Sequence, residues 1–569
     1  CGEDPFLIGE CGAAMIRGYQ GQALDAPDVV LACAKHFAGY SETQGGRDAS
    51  EADISRRKLR SFFLPPFERA VRAGCMTFMT GYQSMDGLPS TANHWLLTQV
   101  LKQEFGFEGI LVTDWDNVAR LHREQCIAPS LVEAAVIAVR CGNDLIMATP
   151  GFFEAAQEAV RRGWLDESEI DQIVRRILRL KFRMGLFENP RRPDPARASV
   201  VISCEQHREV NLRAARESIV LLTNDGILPF RSGSPLAITI VGPNADNAQA
   251  QLGDWSLGSP QYGPEYGTHP RECTVTIRDG ISSYARVKLI QNLEQADVVI
   301  VAVGDDLPLI GECNSTATLE LQGNQVEVLD AVAASEKPFI VVLVASKPHV
   351  LPPSALRANA ILCCFNPGMM GGTAVAEVLF GAVNPTGKLA ISYPRHVGQQ
   401  PVFYNQVRGQ HGDRYADLTQ EPLFPFGHGL SYTHYEYRNL RVLTPCLRLG
   451  ESVEFEVEVT NQGQCEGSEI VQVYVSDLVT SVTWVNRSLV AFARIPLQAG
   501  ETRCVRFSIP CERLALVNAY EQRLVEPGEF DLFVGGSSRS SAALRERFVV
   551  LGDSFSFESI PGVARKDTP

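Results

Sequence analysis

With 569 residues the chain exceeds what one hydrophobic core supports, so roughly two to four domains are expected. The 66 acidic against 52 basic residues leave a net charge of −14, and no basic run is long enough to make a phosphate-binding stripe. That argues against a nucleic-acid partner, while a neutral substrate such as a sugar fits. No apolar stretch reaches the roughly 18 residues of a membrane-spanning helix.

From the start to Asn189, strand-like and helix-like segments alternate. Val29–Phe37 reads as a strand ending in polar Lys35-His36, and a helix pattern runs from Arg56 to Ala73 with Pro65-Pro66 interrupting it. Cys75–Tyr82 is the next strand, and a helix through Leu96–Phe105 leads to the loop Gly106–Gly109. There follows a short apolar run, Ile110-Leu111-Val112, and then the polar cluster Thr113-Asp114-Trp115-Asp116. Such a run reads as a buried parallel strand, and the residues just past its carboxyl end are where chemistry sits in a β/α architecture. A carboxylate followed by Trp suits a sugar site: Asp114 can face a developing cation, and Trp115 offers an apolar face. The bland alternative is an Asp capping the next helix beside a core Trp.

A helix around Leu131–Arg140, a short strand Asn143–Met147 and helices Phe152–Arg162 and Glu167–Phe182 complete this part. About four strand–helix units can be placed, whereas a closed eight-fold barrel needs about 250 residues. The layer is therefore expected to be open or half a barrel.

Arg191–Arg197 is rich in Pro and Arg, and 191–204 reads as a linker. A helix pattern at His207–Glu217, the segment Ser218–Leu222 and a turn at Asn224-Asp225-Gly226 lead into a second α/β domain spanning 205–400. Its apolar runs are Ala237–Val241, Ala296–Val303 (ending at Gly304-Asp305-Asp306), Pro338–Ala345 and Ala360–Cys364. Residues 401–434 read as a second linker. From Tyr435 to 555 short alternating runs separated by turn signals predict about seven strands in a β-sandwich of immunoglobulin-like size. The tail after Ser556 reads as loosely held.

The 15 cysteines include no CxxC pair and no Cys/His cluster at zinc spacing, so no metal site is expected. Cys33, Cys75, Cys141, Cys363 and Cys364 lie in or beside core-like runs, which reads as buried reduced thiols and mildly favours a reducing, cytoplasmic compartment over a periplasmic or secreted one. The chain opens on Cys1 with no signal-like segment, and a removed leader stays open.

Taken together and in order, several segments resemble glycoside hydrolase family 3. GEDPFLIGE from Gly2, AKHFAGY from Ala34, GFEGILVTDW from Gly106 and CGNDLIM from Cys141 resemble the barrel motifs of that family. GLFENP, ESIVLLTNDGILPF, VGPNAD, NPTGKLAISYPRHVGQQPVFYNQ and PFGHGLSYT follow at the corresponding places, and the sandwich resembles the fibronectin type III-like domain of many members. The implied fold is a partial (β/α)8 TIM-like barrel, an α/β sandwich domain and a fibronectin type III-like β-sandwich.

The implied activity is that of a retaining exo-acting β-glycosidase, β-glucosidase first and β-xylosidase second, acting on β-linked oligosaccharides or aryl and alkyl β-glycosides without a cofactor. Asp114 matches the nucleophile of the family's SDW segment, and Asp116 is read as structural. Lys35 and His36 match a pair that hydrogen-bonds sugar hydroxyls. Tyr82 would sit beside the nucleophile, and Trp115 and Arg47 complete the expected substrate-binding set.

A retaining mechanism also needs a second carboxyl about 5–5.5 Å from the first. Glu42, Asp48 and Asp144 are available by composition. The resemblance instead points to Glu312, in the stretch LIGECNSTATLELQGNQ that opens at Leu309. Many relatives carry Asp-Arg after this Glu, where this chain has Asn314-Ser315-Thr316. The family's N-acetylglucosaminidase branch uses a second His after KHF, whereas this chain has Ala38-Gly39-Tyr40 there. Family members carry further barrel upstream of the GEDP segment, including sugar-contacting residues. A non-catalytic sugar-binding or interaction fragment is therefore the second reading, and a homodimer stays open.

Overall fold

The computed structural model describes residues 2–552 apart from positions 231, 232, 234, 262, 263, 306, 413 and 540–542. Asp306, the end of the sandwich at 555 and the tail after Ser556 thus lie outside the described residues. The chain divides into two compact units, residues 1–194 with 517–523, and residues 195–516 with the chain from 524 onward.

The first unit is a partial barrel. Strands β1 (Cys33–Phe37), β2 (Thr77–Thr80) and β3 (Ile110–Val112) form a parallel sheet in the order β1-β2-β3. The expected strand at Asn143–Met147 shrinks to a single parallel bridge, Val112 to Leu145, beside β3. All three residues of β3 are buried, as a strand covered on both faces requires. Gly109 lets the chain enter β3, because a Cβ there would lie 2.2 Å from the Met76 carbonyl oxygen.

Pro65-Pro66 do not interrupt the preceding helix. A π turn at Leu59–Phe63 joins Arg56–Lys58 to Leu64–Arg72, and the Leu64 amide donates five residues back to Leu59, so the helix passes the prolines without the bonds they cannot make. The helix before β3, Trp95–Glu104, is itself π-type. Helices Leu131–Cys141, Phe152–Arg161 and Glu167–Arg183 follow the sheet. No helix of the described residues is long and apolar enough to cross a membrane.

The second unit contains two layers of architecture. The segment read as a linker contains a helix, Pro195–Val201, since Pro at a helix start is tolerated where its missing N–H is not needed. After the helix Glu205–Ser218 come β4 (Val220–Asn224), β5 (Leu236–Val241), β6 (Val287–Leu289), β7 (Val298–Gly304), β8 (Phe339–Val344) and β9 (Ala360–Cys363). They form one sheet in the order β4-β9-β8-β7-β5-β6, parallel except for the edge strand β4. Along β7, Val298, Ile300 and Ala302 enter one core while Val299, Val301 and Val303 enter the other. Burial on both faces explains its unbroken apolar run. Strand β6, half-buried at the edge, lacks that signature and was not visible as an apolar run.

Residues 401–434 do more than link. Leu430 N–H donates to Leu221 O at 2.8 Å, and His428 Nε2 lies 2.8 Å from Leu222 O, so this segment is tied to the α/β sheet.

The sandwich has a three-stranded sheet of β10 (Tyr435–Val442), β12 (Ser452–Asn461) and β15 (Thr502–Pro510). It faces a five-stranded sheet of β11 (Cys446–Arg448), β13 (Gly467–Asp477), β14 (Ser488–Leu497), β16 (Gly528–Gly535) and β17 (Leu544–Leu551). Val453, Phe455, Val457 and Val459 of β12 alternate into the core between outward glutamates, which is the period-2 pattern visible in the sequence. The strand beyond the expected seven is the three-residue β11, too short to show any alternation.

The 14 described cysteines carry free thiols. Of the five expected in the core, Cys75, Cys363 and Cys364 are buried. Cys33 is exposed because β1 is the sheet's edge strand, and Cys141 is half-buried at a helix end.

Candidate active site

Asp114 leaves the carboxyl end of β3 and is buried, with 8% of its surface exposed. Its surroundings are built by backbone bonds from the neighbouring segment. Thr113 N–H donates to Leu145 O (2.9 Å), Met147 N–H to Thr113 Oγ1 (2.9 Å), and Asp116 N–H to Met147 O (2.9 Å). That segment is anchored in turn by Asp144. Its fully buried carboxylate accepts from Leu111 N–H (3.0 Å), Lys102 Nζ (2.9 Å) and Arg176 Nε (2.7 Å). Asp144 is thus consumed by structure, not free to act as an acid.

The two oxygens of Asp114 have different partners. Oδ1 accepts from Trp115 N–H at 2.7 Å, and Oδ2 lies 3.3 Å from His36 Nε2. Asp114 is not a helix cap. The helix Asn117–Arg123 is entered through Asp116, in the left-handed region at φ 53°, and the Asp116 carboxylate is taken by Arg123.

His36 comes from the end of β1, where the peptide bonds Lys35–His36 and Phe37–Ala38 are cis. Its ring packs against Tyr40 with centroids 4.9 Å apart, and the Tyr40 hydroxyl donates to Asp48. Burial, and next the charge of Lys35, lower the pKa of His36, while Asp114 and Asp48 oppose them. A neutral imidazole beside the Asp114 carboxylate is the result.

The other expected residues are placed differently. Lys35 is exposed and adjoins His36 in charge. Trp115 is 65% exposed, with its indole turned out rather than into a core. The Tyr82 ring carries the Arg120 guanidinium at 5.0 Å, and its carbonyl accepts from Gln125. Arg47 is exposed and donates to Gln44 O at 3.2 Å. Of the set, His36 meets Asp114 through its ring at 3.3 Å and Trp115 through its backbone N–H at 2.7 Å. Glu42, the remaining carboxyl considered in this region, pairs with Lys58.

In the second unit, Glu312 is half-buried in the long connection from β7 to the helix Gln325–Ala334. Asn314 N–H donates to Gly311 O at 3.1 Å, which closes a four-residue turn with Glu312 and Cys313 at its corners. At its root lies Asp305, first residue after β7. It sits 3.0 Å from His349 Nε2 and accepts the Ser346 N–H. Burial pulls the Asp305 carboxyl upward, but the bonds from His349 and Ser346 and the charges of His349 and Lys347 outweigh it, leaving the pKa below its ordinary value.

Sequence reasoning missed Tyr40, Asp305 and His349, and it counted Asp144 as an available carboxyl without seeing its anchoring role. The spacing of Tyr40 four residues after His36 was the one available hint. Among the described residues no group of three or more His, Cys, Asp or Glu could hold a metal ion.

Comparison with known proteins accounts for all three architectures. Residues 1–180 match the glycosyl hydrolase family 3 N terminal domain, 219–432 the family's C-terminal domain, and 469–538 a fibronectin type III-like domain. A β-xylosidase of Formosa agariphila is 35% identical over 95% of this chain and 78% of its own length, and a periplasmic β-glucosidase of Salmonella typhimurium is 31% identical over 94% and 76%. Among solved structures, a β-glucosidase involved in saponin metabolism from intestinal bacteria superposes with a TM-score of 0.93 at 46% identity, covering 96% of this chain and 81% of that one. The β-glucosidase of Listeria innocua in complex with isofagomine gives 0.89 at 31% identity, covering 97% and 79%.

Proposed function

The chain belongs to glycosyl hydrolase family 3 and is a glycoside hydrolase, and from that premise we propose that it is a retaining, exo-acting β-glycosidase with Asp114 as nucleophile and Glu312 as acid/base. Terminal non-reducing β-D-glucosyl residues are its first substrate and β-xylosyl residues its second, in keeping with relatives named for both activities. The observation that carries the reading is the state of Asp114: a buried carboxylate at a strand end, fixed by one backbone N–H and one imidazole rather than spent on a cation.

In the first step Asp114 attacks the anomeric carbon, while Glu312 gives its proton to the departing glycosidic oxygen. In the second, Glu312 takes a proton from water, the water oxygen bonds to the anomeric carbon, and the Asp114 ester bond breaks. His36 and Lys35 bind and orient sugar hydroxyls, and Trp115 offers its exposed indole to an apolar sugar face.

Parallel assays on aryl β-glucosides and aryl β-xylosides test the reading. Asp114→Asn is expected to lower kcat/KM at least about a thousandfold on both. Glu312→Gln should spare only glycosides whose leaving group departs without a proton. A folded wild-type chain that turns over neither substrate overturns the proposal and leaves a sugar-binding role.

A further inference from the structure

The connection carrying Glu312 is long, yet it is held at several points from one side. Its neck is closed by a reciprocal pair: Gly304 N–H donates to Gln325 Oε1 (2.7 Å) and Gln325 Nε2 to Gly304 O (3.0 Å). Within that neck, the residues just past the end of β8 grip it. Lys347 Nζ reaches Leu309 O at 3.3 Å and Thr316 Oγ1 at 3.4 Å, so one ammonium ties together the arms on either side of Glu312. His349, 3% exposed, lies with Nε2 at 3.0 Å from Asp305 and Nδ1 at 3.0 Å from Leu319 O, which pins the descending arm to the root of the ascending one. Val350 N–H adds a bond to Leu319 O at 2.9 Å.

The turn itself is buttressed from the opposite side. Gln261 Nε2 donates to Ile310 O at 3.2 Å, and a Cβ on Gly311, whose φ is +88°, would lie 1.9 Å from that amide nitrogen. The Asn314 side-chain amide donates to the same Ile310 carbonyl at 2.9 Å.

We propose that Lys347, backed by the buried Asp305–His349 pair, is a positioning residue that clamps the two arms of this loop so that Glu312 presents its carboxyl to the leaving-group oxygen. The inference rests on the acid/base reading of Glu312. Lys347 does not touch the reacting atoms; it acts through Leu309 and Thr316. An ammonium suits the task because it offers three donors on a flexible stem and can meet a carbonyl and a hydroxyl at once.

The test exploits the difference between substrates that need protonation and those that do not. On phenyl β-glucoside, Lys347→Met should lower kcat/KM by about ten- to a hundredfold, because a misplaced acid fails where departure needs a proton. On 2,4-dinitrophenyl β-glucoside, glycosylation should stay within about twofold, since that leaving group needs none. Lys347→Arg should restore most of the loss. Thr316→Val, which removes one acceptor of Lys347 together with the hydroxyl's own bond to Thr318 O (2.9 Å) and keeps the side chain's shape, should show the same pattern more weakly and covers the case in which Lys347→Met does not fold. Equal losses on both substrates, or none, in Lys347→Met and Thr316→Val overturn the clamp while Glu312→Gln still discriminates the two glucosides. If Glu312→Gln itself fails to discriminate them, the acid/base reading falls and the clamp falls with it.

Discussion

His36 Nε2 lies 3.3 Å from Asp114 Oδ2, so the two residues at the carboxyl ends of β1 and β3 form one unit of charge. The imidazole is held neutral chiefly by burial and then by Lys35, which means that the folded chain binds a proton there less readily than the unfolded chain. In the window below about pH 6.5 the unfolded state therefore carries more protons, and stability falls as pH falls toward the lowered folded value. Thermal melts from about pH 7.5 to about pH 5.5 should show this loss in the wild type and a flatter profile in His36→Gln. Identical profiles would remove His36 as the titrating group.

Asp144 is the anchor beneath the nucleophile, with Lys102, Arg176 and Leu111 N–H on one fully buried carboxylate. Asp144→Asn leaves two cations facing a neutral amide. Breaking such a pair by removing one partner is expected to cost about 3 kcal/mol, read as a lower urea midpoint for the barrel unit. A loss below about 1 kcal/mol would mean that water replaces the carboxylate readily.

Between the α/β sheet and the sandwich, Lys388 Nζ lies 3.3 Å from Glu469 Oε2, and Tyr437 donates its hydroxyl to Oε1 at 3.0 Å. Burial raises the Glu469 pKa, with Lys388 and Tyr437 opposing. Because the folded carboxyl keeps its proton to higher pH than the unfolded one, its contribution declines as pH rises from 4.5 to the folded value. Lys388→Met should deepen that decline and cost about 3 kcal/mol at neutral pH, but much less near pH 4.5. Urea titrations at the two pH values check the difference, and an equal cost at both would refute it.

Trp115 stands 65% exposed beside the nucleophile. Trp115→Ala should leave stability within about 0.5 kcal/mol, as for exposed positions without buried partners. KM for aryl glycosides should rise several-fold with kcat little changed, the pattern for lost uniform binding. A fall in kcat at constant KM would assign the indole to the transition state instead.

Much of the fold was legible because burial writes a period into the chain. Strands β7, β8 and β9 are covered on both faces and read as unbroken apolar runs, and β12 alternates because one face is wet. Where burial is partial the pattern fades: β6 at a sheet edge and the three-residue β11 left no readable run, while the run at Asn143–Met147 reads as a strand but forms a single bridge at Leu145. The prolines at 65 and 66 misled for a related reason, since a π turn can absorb them and no local propensity announces one.

The site divides in the same way. Asp114 stood out because it follows the switch from apolar to polar residues at a strand end, with a helix cap as the alternative, whereas His36 was singled out only by the resemblance to the family. Which carboxylates are free for chemistry could not be read there. Asp144 and Asp114 stand 30 positions apart, one just before and one just after a short apolar run, yet one is locked between two cations and the other faces an imidazole and a backbone amide. That difference depends on Lys102, Arg176 and His36, brought in from distant segments. The sequence by itself determined where the strands end and which residues wait there; only tertiary contact decided which of those residues are neutralised and which remain available to react.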